Sequence, residues 1–252
     1  MRLTTKPFFF AVALLACAAL PAAAYAQAQG FEPGDPAVAS IGDAGIRTGS
    51  YQGQAAPQGN NQFLLTTIGS MSNEDSLTSQ SGLFAVSNSA LQAFFNGLTI
   101  IGNEGSGVMI PFTVGAGDTL LTLQYDLLSN EVFQMPKRDD FAFGAIFNAS
   151  NVLQGSVNQF GSVNNPPADF NLFGGQTPFQ FHTGYQTLSF SLVGLAPGSY
   201  NLGIGIADRL TADHASGLLL DNVQVVPEPS VFALAAAGAG LMLGLRRRIK
   251  RS

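Results

Sequence analysis

An all-β sandwich with one short helix is the fold this 252-residue sequence predicts. Runs of alternating or β-branched apolar residues recur through the middle of the chain. Gly, Asn, Asp and Pro interrupt them every ten or so positions, the rhythm of a sandwich with many short strands. Helical spacing shows in a single segment. About 200 residues lie between the two unusual ends, enough for one β domain with a real core.

The strands follow in order as 63–68, 108–114, 120–128, 141–147, 187–192, 200–206 and 218–226. In 120–128, Leu121, Leu123, Tyr125 and Leu127 share one face, and the other face is only partly polar. Gly115-Ala116-Gly117-Asp118 and Ala196-Pro197-Gly198-Ser199 supply turn chemistry. The helix spans 90–98, with Leu91, Phe94, Phe95 and Leu98 on one side and Asn88 or Ser89 as its cap. Two polar stretches, 69–82 and 155–183, read as loops with room for short strands inside.

Both ends belong to an export apparatus. Arg2 and Lys6 precede an apolar run over 8–20, and Ala24-Tyr25-Ala26 is a small-x-small cleavage site, so Met1–Ala26 reads as a signal peptide. Leu14-Leu15-Ala16-Cys17 is a competing lipobox. Cleavage after Ala26 removes Cys17, the only cysteine, leaving neither disulfide nor thiolate chemistry. At the other end stand Pro227, Glu228 and Pro229, then an uncharged run over 231–245, then Arg246, Arg247, Arg248, Lys250 and Arg251. Two prolines in three residues keep the backbone extended and accessible. The apolar run spans about 23 Å as a helix, shorter than a typical hydrocarbon core, and the cations stop transfer and stay cytoplasmic. This order of tripeptide, span and basic stop resembles the PEP-CTERM sorting signal. The resemblance implies an exosortase as partner, a transient single-helix anchor in the inner membrane, and a final location at the cell surface or in the extracellular matrix.

The domain between these ends, Gln27–Val226, carries four cations (Arg47, Lys137, Arg138, Arg209) against fifteen carboxylates, a net charge of −11. Such a field repels phosphate backbones, so no nucleic acid is expected as a partner. The segments Gly30-Phe31-Glu32, Gly42-Asp43-Ala44, Gln58-Gly59-Asn60 and the run 218–225 come in an order that resembles the galactose-binding-like jelly roll of carbohydrate-binding modules. Gly117-Asp118-Thr119-Leu120, Asp140-Phe141-Ala142-Phe143 and Gly184-Tyr185-Gln186-Thr187 extend the likeness to the version carried by PEP-CTERM proteins. The resemblance implies a structural calcium shared by Glu32 and Asp221. A physical argument stands beside it: Asp221 sits in an apolar strand, where an ionised carboxylate is costly unless paired or bound to metal. The alternative is that Asp221 caps a β-bulge or accepts backbone N–H bonds while Glu32 is merely solvated.

Other polar groups invite the blander reading. Asp126, Glu131, Asp139 and Asp140, beside Lys137 and Arg138, offer a loop cation site or a ligand-contacting rim, but read first as a solvated loop with weak ion pairs. Asp208, Asp213 and His214 invite a metal-site reading, but a lone His beside carboxylates in a polar loop reads first as surface decoration, and His182 has no evident partner. No nucleophile elbow, zinc-protease helix or phosphate loop is present, so no enzyme is expected. A carboxylate pair for glycoside hydrolysis is set by the fold and is not readable in sequence. Sugar platforms usually need exposed indole or phenol rings; the chain has no Trp, and Tyr125 and Tyr200 lie in core-facing strand positions. The sequence therefore reads as an exported, non-enzymatic envelope or matrix protein, sorted by an exosortase and associated with exopolysaccharide or biofilm. The alternative is a carbohydrate-binding module for one defined glycan.

Overall fold

The computed structural model describes residues 28–51, 53–68, 84–130, 140–172, 179–209 and 215–227. The signal-peptide segment, Cys17, the apolar tail and its basic cluster lie outside them. Among the described residues no helix is long and apolar enough to cross a membrane.

The compact unit Gln27–Val226 is a sandwich of two antiparallel sheets. Its early strands are β1 (Ala28–Gln29), β2 (Ala39–Ile41), β3 (Ala44–Thr48), β4 (Asn61–Thr66) and β5 (Val86–Ser87). The long central ones are β6 (Glu104–Val114), β7 (Asp118–Ser129), β8 (Phe141–Asn148) and β9 (Leu153–Ser162). The last are β10 (Asn171–Leu172), β11 (Phe181–His182), β12 (Gln186–Ser191), β13 (Gly198–Asp208) and β14 (Ser216–Pro227). The first sheet runs β10-β11-β7-β14-β4-β3, with β12 also on β7 and β1 on β14. The second runs β2-β6-β13-β8-β9, with β5 on β6. The chain crosses between sheets at β6–β7, β7–β8, β12–β13 and β13–β14, the shuttling of a jelly roll.

Alternation builds the main core. Leu121, Leu123, Tyr125 and Leu127 of β7 meet Val108, Ile110 and Phe112 of β6 and Leu202, Ile204 and Ile206 of β13 between the sheets. The expected face of β7 is thus the buried one, and Tyr125 and Tyr200 point inward as their positions require.

Each sheet also buries part of its outer face. Helix α1 (Asn88–Phe94) lays Leu91 and the following Phe95 over Met109, Phe143 and Phe147 of the second sheet. Gly205 makes room there: a Cβ on it would stand 2.3 Å from Phe143 Cζ. The helix starts two residues earlier than its periodicity suggests, and its N-cap is Ser87, without a side-chain cap bond, in place of Asn88 or Ser89. Asn96 and Gly97, both at positive φ, end it. On the first sheet, Leu64, Leu128 and Leu219 lie beneath Tyr51, Phe179 and Ile68.

The long polar stretch 155–183 does hold short strands, and a longer one besides. Most of β9, together with β10 and β11, falls within it.

Candidate functional site

The two ends of the domain meet at an acidic junction. β1 pairs with β14, setting Ala28 beside Gln224 and Gln29 beside Val223. Within β14, Leu218 and Leu220 face the main core, and so do Val223 and Val225. The two-residue rhythm therefore slips by one at Asp221–Asn222, and Asn222 takes up the slip with φ 52°. Asp221 is fully buried there. Its Oδ2 accepts the Gln58 N–H at 2.6 Å and its Oδ1 the Asn222 N–H at 2.6 Å.

Glu32 grips the same loop from the N-terminal side. Its Oε1 accepts the N–H groups of Asn60 at 2.5 Å and Asn61 at 2.7 Å, and its Oε2 accepts Asn61 Nδ2 at 3.3 Å. Gly59, at φ 66°, is what lets the loop come this close, since a Cβ would fall 2.2 Å from Glu32 Oε1. Asp35 completes the turn by accepting the N–H groups of Gly30 and Glu32 at 2.9 Å each. Burial pushes the Asp221 carboxyl up to about 6; its two backbone hydrogen bonds oppose the shift, and Glu32 and Asp35 add to it. Asp221 therefore does accept backbone N–H bonds, as the alternative had it, whereas Glu32 is not merely solvated. Sequence reasoning missed Asp35 and Gln58; the Gly34 turn beside Asp35 was the available signal.

Oxygen donors suit a hard cation. Glu32 and Asp221 bring two carboxylates to the junction, and Gln58 Oε1 is a buried oxygen with no hydrogen-bond partner. Gln58 packs against Gly30, where an added Cβ would be 3.1 Å from its side-chain carbons. Among the described residues, however, no three His, Cys, Asp or Glu side chains gather as a metal-binding group. A calcium ion held here would draw on Glu32, Asp221, the Gln58 amide oxygen and backbone carbonyls.

A second polar cluster is sealed on the outer face of the first sheet. Asp126 is fully buried, and its Oδ1 accepts the Thr183 N–H at 3.0 Å and the Thr183 hydroxyl at 3.2 Å. Its Oδ2 stands 3.3 Å from His182 Nδ1, which also receives the Gly184 N–H at 3.1 Å. Burial pushes Asp126 up to about 6, with His182 and Thr183 opposing the shift. Tyr185 donates its hydroxyl to Gln62 Oε1, and Gln62 Nε2 reaches the carbonyls of Gly49 and Gln54 at 3.1 Å each. Burial, then Asp221 and Asp126, raise the Tyr185 phenol above its ordinary range. This network pins the loops around residues 49–54 and 182–185 to β4 and β7.

These observations correct three sequence readings. Asp126 and Asp140 are not part of a solvated loop: both are fully buried, and Asp140 Oδ2 accepts the Thr67 hydroxyl at 3.2 Å. His182 has partners, and Asp208 is buried rather than surface decoration. Glu131, Lys137, Arg138, Asp139, Asp213 and His214 lie outside the described residues. Of the sorting residues, Pro227 is the last residue of β14, while Glu228, Pro229, Arg246, Arg247, Arg248, Lys250 and Arg251 lie outside the description.

No family model and no curated protein matches the chain. Among solved structures it is similar to the carbohydrate-binding module TmCBM61 in complex with β-1,4-galactotriose, at 7% identity and TM-score 0.39, covering 79% of this chain and 94% of that one. It is also similar to the K1 adhesin domain of Lys-gingipain from Porphyromonas gingivalis W83, at 13% identity and TM-score 0.40, covering 81% and 98%. A third is the CBM22-1 xylan-binding domain from Paenibacillus barcinonensis, at 12% identity and TM-score 0.34, covering 80% and 92%. These likenesses carry no ligand over to the present chain.

Proposed function

We propose that this chain is an exported, non-enzymatic protein of the cell envelope or extracellular matrix, sorted through its C-terminal tail by an exosortase and associated with polysaccharide. The observation that carries the reading is the pairing of the first and last described strands. β14 reaches Pro227, the first residue of the Pro-Glu-Pro tripeptide. β1 pairs alongside β14, so the domain begins and ends on neighbouring strands, as suits a module between a cleaved leader and a membrane tail.

Calcium is the cofactor we assign to the junction of Glu32 and Asp221. Bound there, it would supply charge neutralisation and a tie between the first and last strands. Non-enzymatic function is supported by the state of the buried acids, since Asp126, Asp140 and Asp221 all accept hydrogen bonds from the domain's own groups. The second reading, recognition of a defined glycan, is favoured by the groove considered next.

Intact mass of the protein recovered from its native cell tests the sorting reading. A chain beginning at Gln27 and ending near the tripeptide is the expected result. A full tail on the final, extracellular product would overturn it.

A further inference from the structure

The sandwich has one lateral margin where an edge strand of each sheet comes close to the other. Among the described residues β9 pairs with β8 alone and forms the edge of the second sheet. β12 flanks β7 at the margin of the first sheet. Near one end this margin is closed: the Tyr125 hydroxyl donates to the Phe160 carbonyl at 3.1 Å, and the two rings meet edge to face at 4.7 Å. Further along it opens, because β9 carries a bulge. Gly144 pairs with Asn158 and Ile146 with Gln154, so three residues of β9 stand opposite the single residue Ala145 of β8. Gly155, at φ 88°, begins the excursion.

The bulge leaves a groove of about 330 Å³. That lies near the lower end of the range of about 300–1,000 Å³ usual for ligand pockets. Its apolar lining comes from Ile146 and Phe190, largely buried in the core between the sheets, and from the exposed Val157. Phe190 lies over Gly144, where a Cβ would be 2.7 Å from its ring. Its walls carry the amides of Gln154 and Asn158 and the hydroxyls of Ser156, Ser189 and Ser191. No charged residue lines it, in a domain with net charge −11.

We infer that this groove between β9 and β12 binds a segment of uncharged polysaccharide. The inference rests on the polysaccharide-association reading and assigns it a site and a ligand class. Amides and hydroxyls both donate and accept, as do sugar hydroxyls, and an apolar lining suits the C–H face of a pyranose ring. A chain of uronates would enter against the acidic field of the domain with no cation in the groove to meet it. Because the groove lies along a sandwich margin, it suits a stretch of polymer better than an isolated sugar. Bulges are concentrated at barrel rims and beside active sites, where they re-aim side chains, and this one places Ser156 and Asn158 in the lining of the groove.

Native affinity electrophoresis tests the inference, using the full chain in nonionic detergent and gels containing soluble β-glucan, galactomannan or alginate. Retardation by a neutral polymer and not by alginate is expected. The double variant Ser156→Ala/Asn158→Ala should weaken it roughly tenfold, the loss of two ordinary hydrogen bonds. Ser189→Ala/Ser191→Ala on the opposite wall should act alike, and both variants should melt as the parent does. Retardation by a neutral polymer that neither double variant weakens would overturn the groove while leaving polysaccharide association standing. Equal or stronger retardation by alginate would overturn the uncharged class. If no polymer retards the protein, both the groove and the association reading fall.

Discussion

Glu104 of β6 and Asp208 of β13 stand directly opposite one another in the second sheet. Like charges at such a cross-strand position destabilise a ladder. The pair persists because one member can hold a proton: burial, with Asp208 adding to it, lifts Glu104 to about 7. Asp126 and Asp221 are lifted to about 6, again chiefly by burial.

These three acids set the pH response of the domain. Each folded-state value lies above the unfolded one, so folding takes up protons in the window between them. The stabilisation is complete below about pH 4 and is lost as pH rises through 6 to 7. The melting temperature should therefore be higher at pH 5 than at pH 8, and Glu104→Gln should flatten the upper part of that slope. Calorimetry from pH 4.5 to 8 without divalent ions measures it; a melting temperature that climbs with pH would contradict the account.

Calcium should act in the opposite direction. Binding at Glu32 and Asp221 needs both carboxylates ionised, so the gain should grow as pH rises through 6. At a hundredfold excess over Kd the stabilisation is about 2.7 kcal/mol, or roughly 5–10 °C for a domain of this size. Asp221→Asn should remove most of that gain. Melts with calcium and with a chelator at pH 8 decide the matter, and coincident curves would mean that hydrogen bonds from Gln58 and Asn222 are all Asp221 has.

Gly205→Ala should be costly although the change is a single methyl. The new Cβ would meet the Phe143 ring at 2.3 Å. Overpacking of this kind costs about 1–3 kcal/mol. The melting temperature should fall by roughly 2–12 °C. Unchanged thermal melts would show that Phe143 moves aside freely.

Glu228→Ala addresses the tail. If an exosortase reads the tripeptide that begins where β14 ends, the variant should accumulate full-length in the inner membrane. Fractionation with an antibody to the domain checks it, and release equal to the parent's would count against sorting.

The long central strands were legible because β-branched and other apolar residues recur along them between clear turn signals. The expected 120–128 lies inside β7, and the expected 200–206 inside β13. β9 was not legible: Gln154 to Gln159 is a polar run interrupted by Gly155, and an exposed edge strand has no apolar face to announce it. The cores on the outer sheet faces were hidden for a related reason. Asp126 alternates as an outward residue should, and only the distant Thr183, His182 and Tyr185 arriving over it turn outward into buried. At the acidic junction, Glu32 and Asp221 were legible through the order of segments around them. Asp35 and Gln58 were not, because their roles arise from a loop closing across the ends of the chain.

The position of β14 bears on how the protein must be made. The last strand lies in the interior of the first sheet, between β7 and β4. A chain emerging from its N-terminus leaves that slot empty until residue 227 appears, so β3–β4 and β7 with its neighbours are held apart as two open-edged pieces. The sheet can knit only once the final strand arrives, which puts the slow, long-range step of folding at the end of synthesis. A truncated or stalled chain that lacks β14 would therefore lack the closed sheet, with β7 and β4 each left open along one edge.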